Sequence, residues 1–178
     1  VPREGGNKFS LSASGDFTNS KLQGENLTDE IQARGLTTVP GIKKIYDYGV
    51  GFGRPIKQDK AWFYTAHRFW GADNFAPGAY FNATIDSNFF TPDLSRPPYT
   101  NVYDRDHSGR VTWQINSRHK LNISESYQDN CICWIGINST SSPEAVSLLH
   151  FTPLSMTQLT WSHPRTNRLL FDAGYSYV

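Results

Sequence analysis

The chain has 178 residues, with Lys+Arg 17 against Asp+Glu 16, and a formal net charge of +1. That balance excludes the concentrated basic face of a typical nucleic-acid binder, and no apolar run approaches the ~18 residues that a membrane-spanning helix needs. Against a hydrophilic average stand 11 Phe, 9 Tyr, 5 Trp and 14 Gly, a mixture that favours strands over helices and leaves a transmembrane β-barrel open.

Taken in chain order, the first element is a strand over residues 8–19. Phe9, Leu11, Ala13, Gly15 and Phe17 fall on one face, with Lys8, Ser10, Ser12, Ser14, Asp16 and Thr18 on the other. Residues 45–56 set Tyr46, Tyr48, Val50 and Phe52 against Asp47, Gly49, Gly51 and Gly53. Residues 61–74 are strand-like without a clean division of faces. In 103–115, Gly109, Val111, Trp113 and Ile115 oppose Ser108, Arg110, Thr112 and Gln114. In 120–128, Leu121, Ile123 and Tyr127 oppose Asn122, Ser124, Ser126 and Gln128, with Glu125 as an exception on the apolar side. Residues 154–162 carry Leu159 and Trp161, and 168–178 set Leu169, Phe171, Ala173, Tyr175 and Tyr177 against Arg168, Asp172, Gly174 and Ser176.

The connections alternate. Short polar turns are expected at 57–60, 116–119 and 163–167, and long segments at 20–44, 75–102 and 129–153. An antiparallel meander with that rhythm has its tight turns at one end and its long loops at the other, as outer-membrane barrels do; loops of this length are uncommon in compact soluble domains. In lipid every backbone N–H and C=O must be satisfied by a neighbouring strand, so apolar residues face outward and Ser, Thr, Asn, Gly and charges face a wet interior. On this reading the lipid-facing residues are Phe9, Leu11, Phe17, Tyr46, Tyr48, Val50, Phe52, Val111, Trp113, Leu169, Phe171, Tyr175 and Tyr177. Trp62 and Trp161, near strand ends, suit interfacial girdles. Alternating aromatics also fill the core of a soluble barrel or sandwich; the loop rhythm favours the membrane. The chain begins at Val1 without Met and ends at Val178 inside a strand pattern, so a segment of a longer protein is expected.

Motifs that carry chemistry are few. Cys131-Ile132-Cys133 falls in the third long segment; four-ligand zinc finds no second pair to complete it, bridging i to i+2 departs from ordinary disulfide geometry, and a loop-tip disulfide in an oxidising exterior stays open. The histidines (His67, His107, His119, His150 and His163) are scattered. A hydrolase would need His67, Asp104 or Ser108 gathered around a cleft. Asp104 and Asp106 with Arg105 read as a solvated strand end. Arg3-Glu4-Gly5-Gly6-Asn7 lacks the Lys-Ser/Thr of a phosphate loop. No catalytic residue, metal ligand or cofactor is assigned.

Two segments carry a resemblance. Val1-Pro2-Arg3-Glu4-Gly5-Gly6-Asn7-Lys8-Phe9-Ser10 resembles the plug-to-barrel junction of TonB-dependent outer-membrane receptors. Gly53-Arg54-Pro55-Ile56-Lys57-Gln58-Asp59-Lys60-Ala61-Trp62-Phe63 is similar to the turn between barrel strands 2 and 3 of the large receptors with an N-terminal carboxypeptidase-regulatory-like domain, with departures at Arg54, Gln58 and Ala61. Residues 166–170 and 173–177 resemble later strands of that family. The resemblance implies a bacterial outer-membrane protein, importing a scarce solute such as a siderophore or oligosaccharide. Its partners would be membrane lipid, the extracellular solute and, through parts of the protein absent here, the TonB complex. Residues 1–7 would end the plug, and 8–178 would form about seven strands of a larger all-β barrel, with Tyr80, Phe81, Tyr99 and Trp134 as candidate ligand contacts. The competing reading is a secreted soluble β-sandwich or barrel that binds carbohydrate.

Overall fold

The structure, a computed structural model, describes residues 5–36 and 39–178; Val1–Glu4 of the expected plug segment and Thr37 and Thr38 of the first long loop lie outside the described residues. The chain is all-β. Strands β1 (Ser10–Asn19), β2 (Ile42–Lys57), β3 (Ala61–Phe75), β6 (Tyr99–Asn116), β7 (His119–Ile135), β8 (Ser147–Thr166) and β9 (Leu169–Tyr177) form one antiparallel sheet, each pairing with its neighbours in chain order. The second long loop holds the short pair β4 (Phe81–Asn82) and β5 (Pro92–Asp93), and the first holds one helical turn, α1 (Asp29–Ala33), capped by the Thr28 hydroxyl. Among the described residues no helix is long and apolar enough to cross a membrane, a statement that does not bear on strands.

Directly opposed residues of an antiparallel pair share a face, so register settles the faces. Phe17 lies opposite Tyr46, Gly15 opposite Tyr48, Ala13 opposite Val50 and Leu11 opposite Phe52. One row continues across six strands as Arg54, Phe63, Val111, Ile123, Leu159 and Tyr175. A second joins Ala61, Trp113, Leu121, Trp161 and Ala173. The expected apolar residues of all the clearly alternating strands therefore fall on a single side. All of the thirteen named above except Tyr46 and Phe52 are more than a third exposed. The faces of β3, which alternation alone does not divide, follow from its neighbours: Phe63, Thr65, His67 and Phe69 join the apolar side, and Trp62, Tyr64, Ala66 and Arg68 the polar side.

Through the middle of the sheet the buried groups lie on the polar side, whereas the buried Asp73 and Cys131 lie near the long-loop end on the other. Tyr64 is 9% exposed and Thr112 only 2%. Tyr64 spreads over Gly51 and Gly53: a Cβ on Gly53 would come within 2.8 Å of its ring. Two of the three alternating glycines of β2, Gly51 and Gly53, are thus the floor on which Tyr64 rests. Elsewhere the described chain has almost no hydrophobic core; Ala79, Cys131 and Ile137 complete the buried apolar residues.

Three expectations are corrected. The third long loop shrinks to residues 136–146, because β7 runs on to Ile135 and β8 begins at Ser147. Register shifts between Gln128 and Asn130 and between Ile132 and Ile135 break the two-residue period there, so the ladder persists where the alternation ends. The third turn is Asn167-Arg168, not 163–167, with β8 carrying Pro164 past another shift between Pro164 and Thr166. Trp62 faces the polar side, where its indole N–H donates to Asn7 Oδ1 at 2.7 Å; that acceptor takes it out of any lipid-facing girdle.

The outer edges of β1 and β9 have no strand partner among the described residues. An unpaired edge combined with an uncovered apolar face drives association. Made alone and in plain buffer, the 178-residue chain is expected to elute as heterogeneous aggregate in size-exclusion chromatography. A monodisperse 20.1 kDa species with a single cooperative unfolding transition contradicts this.

Candidate functional site

At the long-loop end, the second and third loops are braced against each other. The Asn82 backbone N–H donates to Glu144 Oε1 at 2.9 Å, and the Ser142 hydroxyl donates to the other oxygen of the same carboxylate. Burial pushes the Glu144 carboxyl up, but those two bonds, with the Glu144 backbone N–H and the charge of Arg96, together hold its pKa below the ordinary value. Within the second loop, Asp93 accepts from the Ser95 hydroxyl at 2.6 Å and from Arg96 Nε at 2.7 Å. The Ser95 hydroxyl, Arg96 and the Ser95 backbone together lower the Asp93 pKa to about 2. Arg96 in turn sits 4.9 Å from the Phe81 ring centre.

The expected contact residues therefore separate. Phe81 is a strand residue under Arg96. Tyr99 opens β6 and Trp134 lies near the end of β7; their rings meet edge to face at 5.5 Å, and Lys43 Nζ stands 3.1 Å from the Tyr99 ring centre. Those three rings are engaged in packing. Tyr80 faces a cavity of about 340 Å³ between the two loops, lined also by Gly78, Phe90 and Asn138 through Ser142. Phe90 and the Asn138–Ser142 run carry no alternation, so the strand pattern gives no signal for them.

On the apolar side, the upper rows turn polar. His67 and His107 are cross-strand partners whose Nδ1 atoms lie 2.8 Å apart. Above them Arg105 pairs with Asp129 at 3.2 Å, and Asp129 also contacts His150 Nε2 at 2.6 Å. Cys131 and Cys133 form a disulfide within β7, with Cα atoms 5.3 Å apart, and Cys131 lies opposite Tyr103 and His150. The pair thus belongs to a strand, not a loop tip. Lower on the same side, Glu125 keeps its exceptional place and accepts from the Thr157 hydroxyl.

The polar side carries a separate charged group. Arg68 binds Asp47 through two nitrogens, at 2.9 Å and 2.5 Å, and Gln128 donates to Asp106 at 2.8 Å. Asp104 and Asp106 lie on this side while Arg105 points away, so the three do not form one patch. Asp104 Oδ1 is buried with no partner among the described residues. His67 lies on the side opposite to Asp104 and Ser108, so the three residues of the hydrolase reading do not converge. Among the described residues no group of three or more His, Cys, Asp or Glu is placed to hold a metal ion.

The turn end joins the two segments that carry the resemblance. Asn7 Nδ2 donates to Asp59 Oδ1 at 2.6 Å, and Asn7 Oδ1 accepts from the Asp59 backbone N–H at 3.0 Å as well as from Trp62. Asp59 itself has φ of 58°. Gly5 runs so close to β3 that a Cβ there would collide with the Phe63 carbonyl oxygen. Comparison with protein-family models, curated proteins and solved structures returns no match.

Two measurements check this geometry in the natural protein. Asn7→Ala removes three hydrogen bonds at an exposed site, and the loss of stability is expected to be about 1–2 kcal/mol, read as a shift of the denaturant midpoint; Asn7→Asp, which replaces the donor to Asp59 by a second carboxylate, should lose at least as much. The brace between loops through Glu144 and the bonds of Asp93 within the second loop both depend on carboxylates whose folded pKa lies below the unfolded value, so their contribution is present above the ordinary carboxylate range. For Asp93 it fades as pH falls from 3.8 toward about 2. Hydrogen exchange at the Asn82 and Ser95 amides should accelerate over that acid range, beyond the intrinsic trend, and stay flat between pH 5 and about 8.

Proposed function

We propose that this chain is part of the wall of an outer-membrane β-barrel receptor of the TonB-dependent type, with its loops contributing to the mouth where a solute is captured. The observation that carries the reading is the row of apolar side chains that runs unbroken from β3 to β9 through Phe63, Val111, Ile123, Leu159 and Tyr175, the last four of them more than a third exposed. A soluble sandwich would lay a second sheet over that face; the only other sheet among the described residues is the two-stranded β4–β5 pair. Lipid covers such a face without a second layer.

The remaining features agree with that orientation. At the turn end, Trp161, His119, His163 and Phe171 stack in sequence on the apolar side, with His119 and His163 ring centres 4.2 Å apart, where an aromatic girdle is expected. The polar side, with Arg68, Asp47, Asp104 and Asp106, suits a hydrated or plug-filled lumen, and the buried Asp104 oxygen would find a donor there. The Asn7 latch fixes the chain upstream of β1 to the first short turn, where a plug would enter the barrel. Import and energy coupling belong to the parts of such a receptor outside this chain; we assign it no enzymatic role.

Paired arginine substitutions test the proposal in the natural protein expressed in an outer-membrane host. Ile123→Arg lies on the apolar row and Ser126→Arg on the polar side of the same strand. An arginine facing lipid near the midplane costs about 2–4 kcal/mol, so Ile123→Arg should strongly deplete the folded, heat-modifiable form in outer-membrane fractions while Ser126→Arg stays near wild type. Equal tolerance of both, or a natural protein that stays soluble without detergent, refutes the reading.

A further inference from the structure

We infer that the cavity between the second and third long loops binds a neutral carbohydrate. This deepens the receptor reading and rests on it, because it takes these loops as facing the medium. The cavity measures about 340 Å³, at the lower end of the roughly 300–1,000 Å³ of small-molecule sites, which suits a short stretch of an oligosaccharide.

Its chemistry has two parts. One wall is the run Asn138-Ser139-Thr140-Ser141-Ser142, five consecutive residues with a hydroxyl or amide and no charge. The other presents Tyr80 and Phe90, whose side chains are 36% and 56% exposed. Flat rings accept the apolar C–H face of a pyranose, and short neutral donors and acceptors meet its hydroxyls. None of the lining residues is ionised. A ferric chelate bearing negative charge would call for Arg or Lys at this surface; none lines the cavity, and Arg96 of the same loop is held by Asp93 and Phe81.

The walls are also held in place before any ligand arrives. Asn138 Oδ1 accepts from the Thr140 backbone N–H at 2.8 Å and from its hydroxyl at 2.6 Å, while Asn138 Nδ2 donates to the Gly136 carbonyl at 2.9 Å. Gly78, at φ of 72°, lets the second loop approach the third, where a Cβ would stand 3.1 Å from Ser139. The Asn82–Glu144–Ser142 bonds tie the loops together beside the cavity. A preformed site avoids the ordering cost that weakens recognition by mobile loops.

The test uses the natural protein, extracted in detergent from outer membranes, against fluorescent hexasaccharides. Neutral gluco-, xylo- and manno-oligosaccharides stand beside anionic oligogalacturonate and an anionic ferric tris-catecholate. At least one neutral oligosaccharide is expected to bind, and Tyr80→Ala and Phe90→Ala should each weaken it about tenfold through loss of a stacking ring. Leu94→Ala, on an exposed side chain of the same loop outside the cavity, should leave binding unchanged. Tyr80→Leu keeps bulk without the flat ring and serves if Tyr80→Ala fails to assemble, with the same loss expected. Binding of the anionic probes alone, of none of the panel, or of a neutral glycan indifferent to both ring substitutions overturns the inference. If those outcomes come from protein that is heat-modifiable in the outer membrane, the receptor reading survives; if the wild type never assembles there, both fall together.

Discussion

Each interior strand of this sheet is held by backbone hydrogen bonds to the strand on either side, and side-chain burial adds little. Among the described residues of its long strands, only a few side chains, Tyr64, Asp73, Thr112 and Cys131 among them, are nearly buried. A single-layer sheet of that kind has no core to stabilise it in water, since stability there comes from apolar area removed from solvent. The ladder therefore has to be favoured by its surroundings. In hydrocarbon an unpaired backbone group costs several kcal/mol, so strand pairing outweighs every other contribution and the exposed Phe, Leu, Ile and Trp side chains cease to be a liability. The same composition that would aggregate in water is suited to a lipid solvent.

That constraint explains why the two faces differ in kind. The apolar side is irregular in shape, as the proposed lipid contact would tolerate: Gly109 sits beside Glu125 with open space where a Cβ would be. The polar side must satisfy its groups individually, and it does so with specific pairs such as Arg68 with Asp47 and Gln128 with Asp106. Glu125 is the one carboxylate in the lower apolar rows, and its bond from Thr157 shows the same rule applied locally: a polar group on the wrong side carries its own partner. Higher up, where Arg105, Asp129, His150 and Tyr103 form a connected group, this side of the sheet becomes polar and aromatic.

Much of the fold was legible because the side-chain period is two and one face is uniformly apolar. β1, β2, β6, β7 and β9 each have Phe, Tyr, Val, Leu or Ile at alternate places, and the short turns between them are rich in Asn, Asp, Lys and Arg. Legibility fails where the physics changes. Beyond Gln128 the ladder continues on bulged backbone with polar residues on both sides, so Cys131 and Cys133 read as loop although they pair with Tyr103 and Asn101. β3 resists division because Trp62, Tyr64 and Trp70 are aromatics on the polar side, and only pairing with Gly53 and Thr112 reveals it. The cavity is the least legible part. Tyr80 was visible as a loop aromatic, whereas Phe90 and the Ser139–Ser142 hydroxyls acquire meaning only when two loops distant in sequence are brought together.

The two ends of the sheet answer different demands with the same material. At the turn end the chain minimises freedom: two-residue connections follow β6 and β8, Asn116 Oδ1 caps the first through the Arg118 and His119 amides at 2.9 and 3.1 Å, and Asn7 locks the β2–β3 turn from below. At the loop end long connections are tolerated, because loop closure costs entropy only slowly with length, and they are tied down at a few points by Asn side chains and by Glu144. Short turns fix the register on which the apolar rows depend. Once register is fixed there, the far ends of the strands are free to carry bulges, a disulfide and loops of unrelated sequence without disturbing the wall. The sheet in this way keeps a regular, register-locked part beside its short turns and leaves its far end open to variation in the loops.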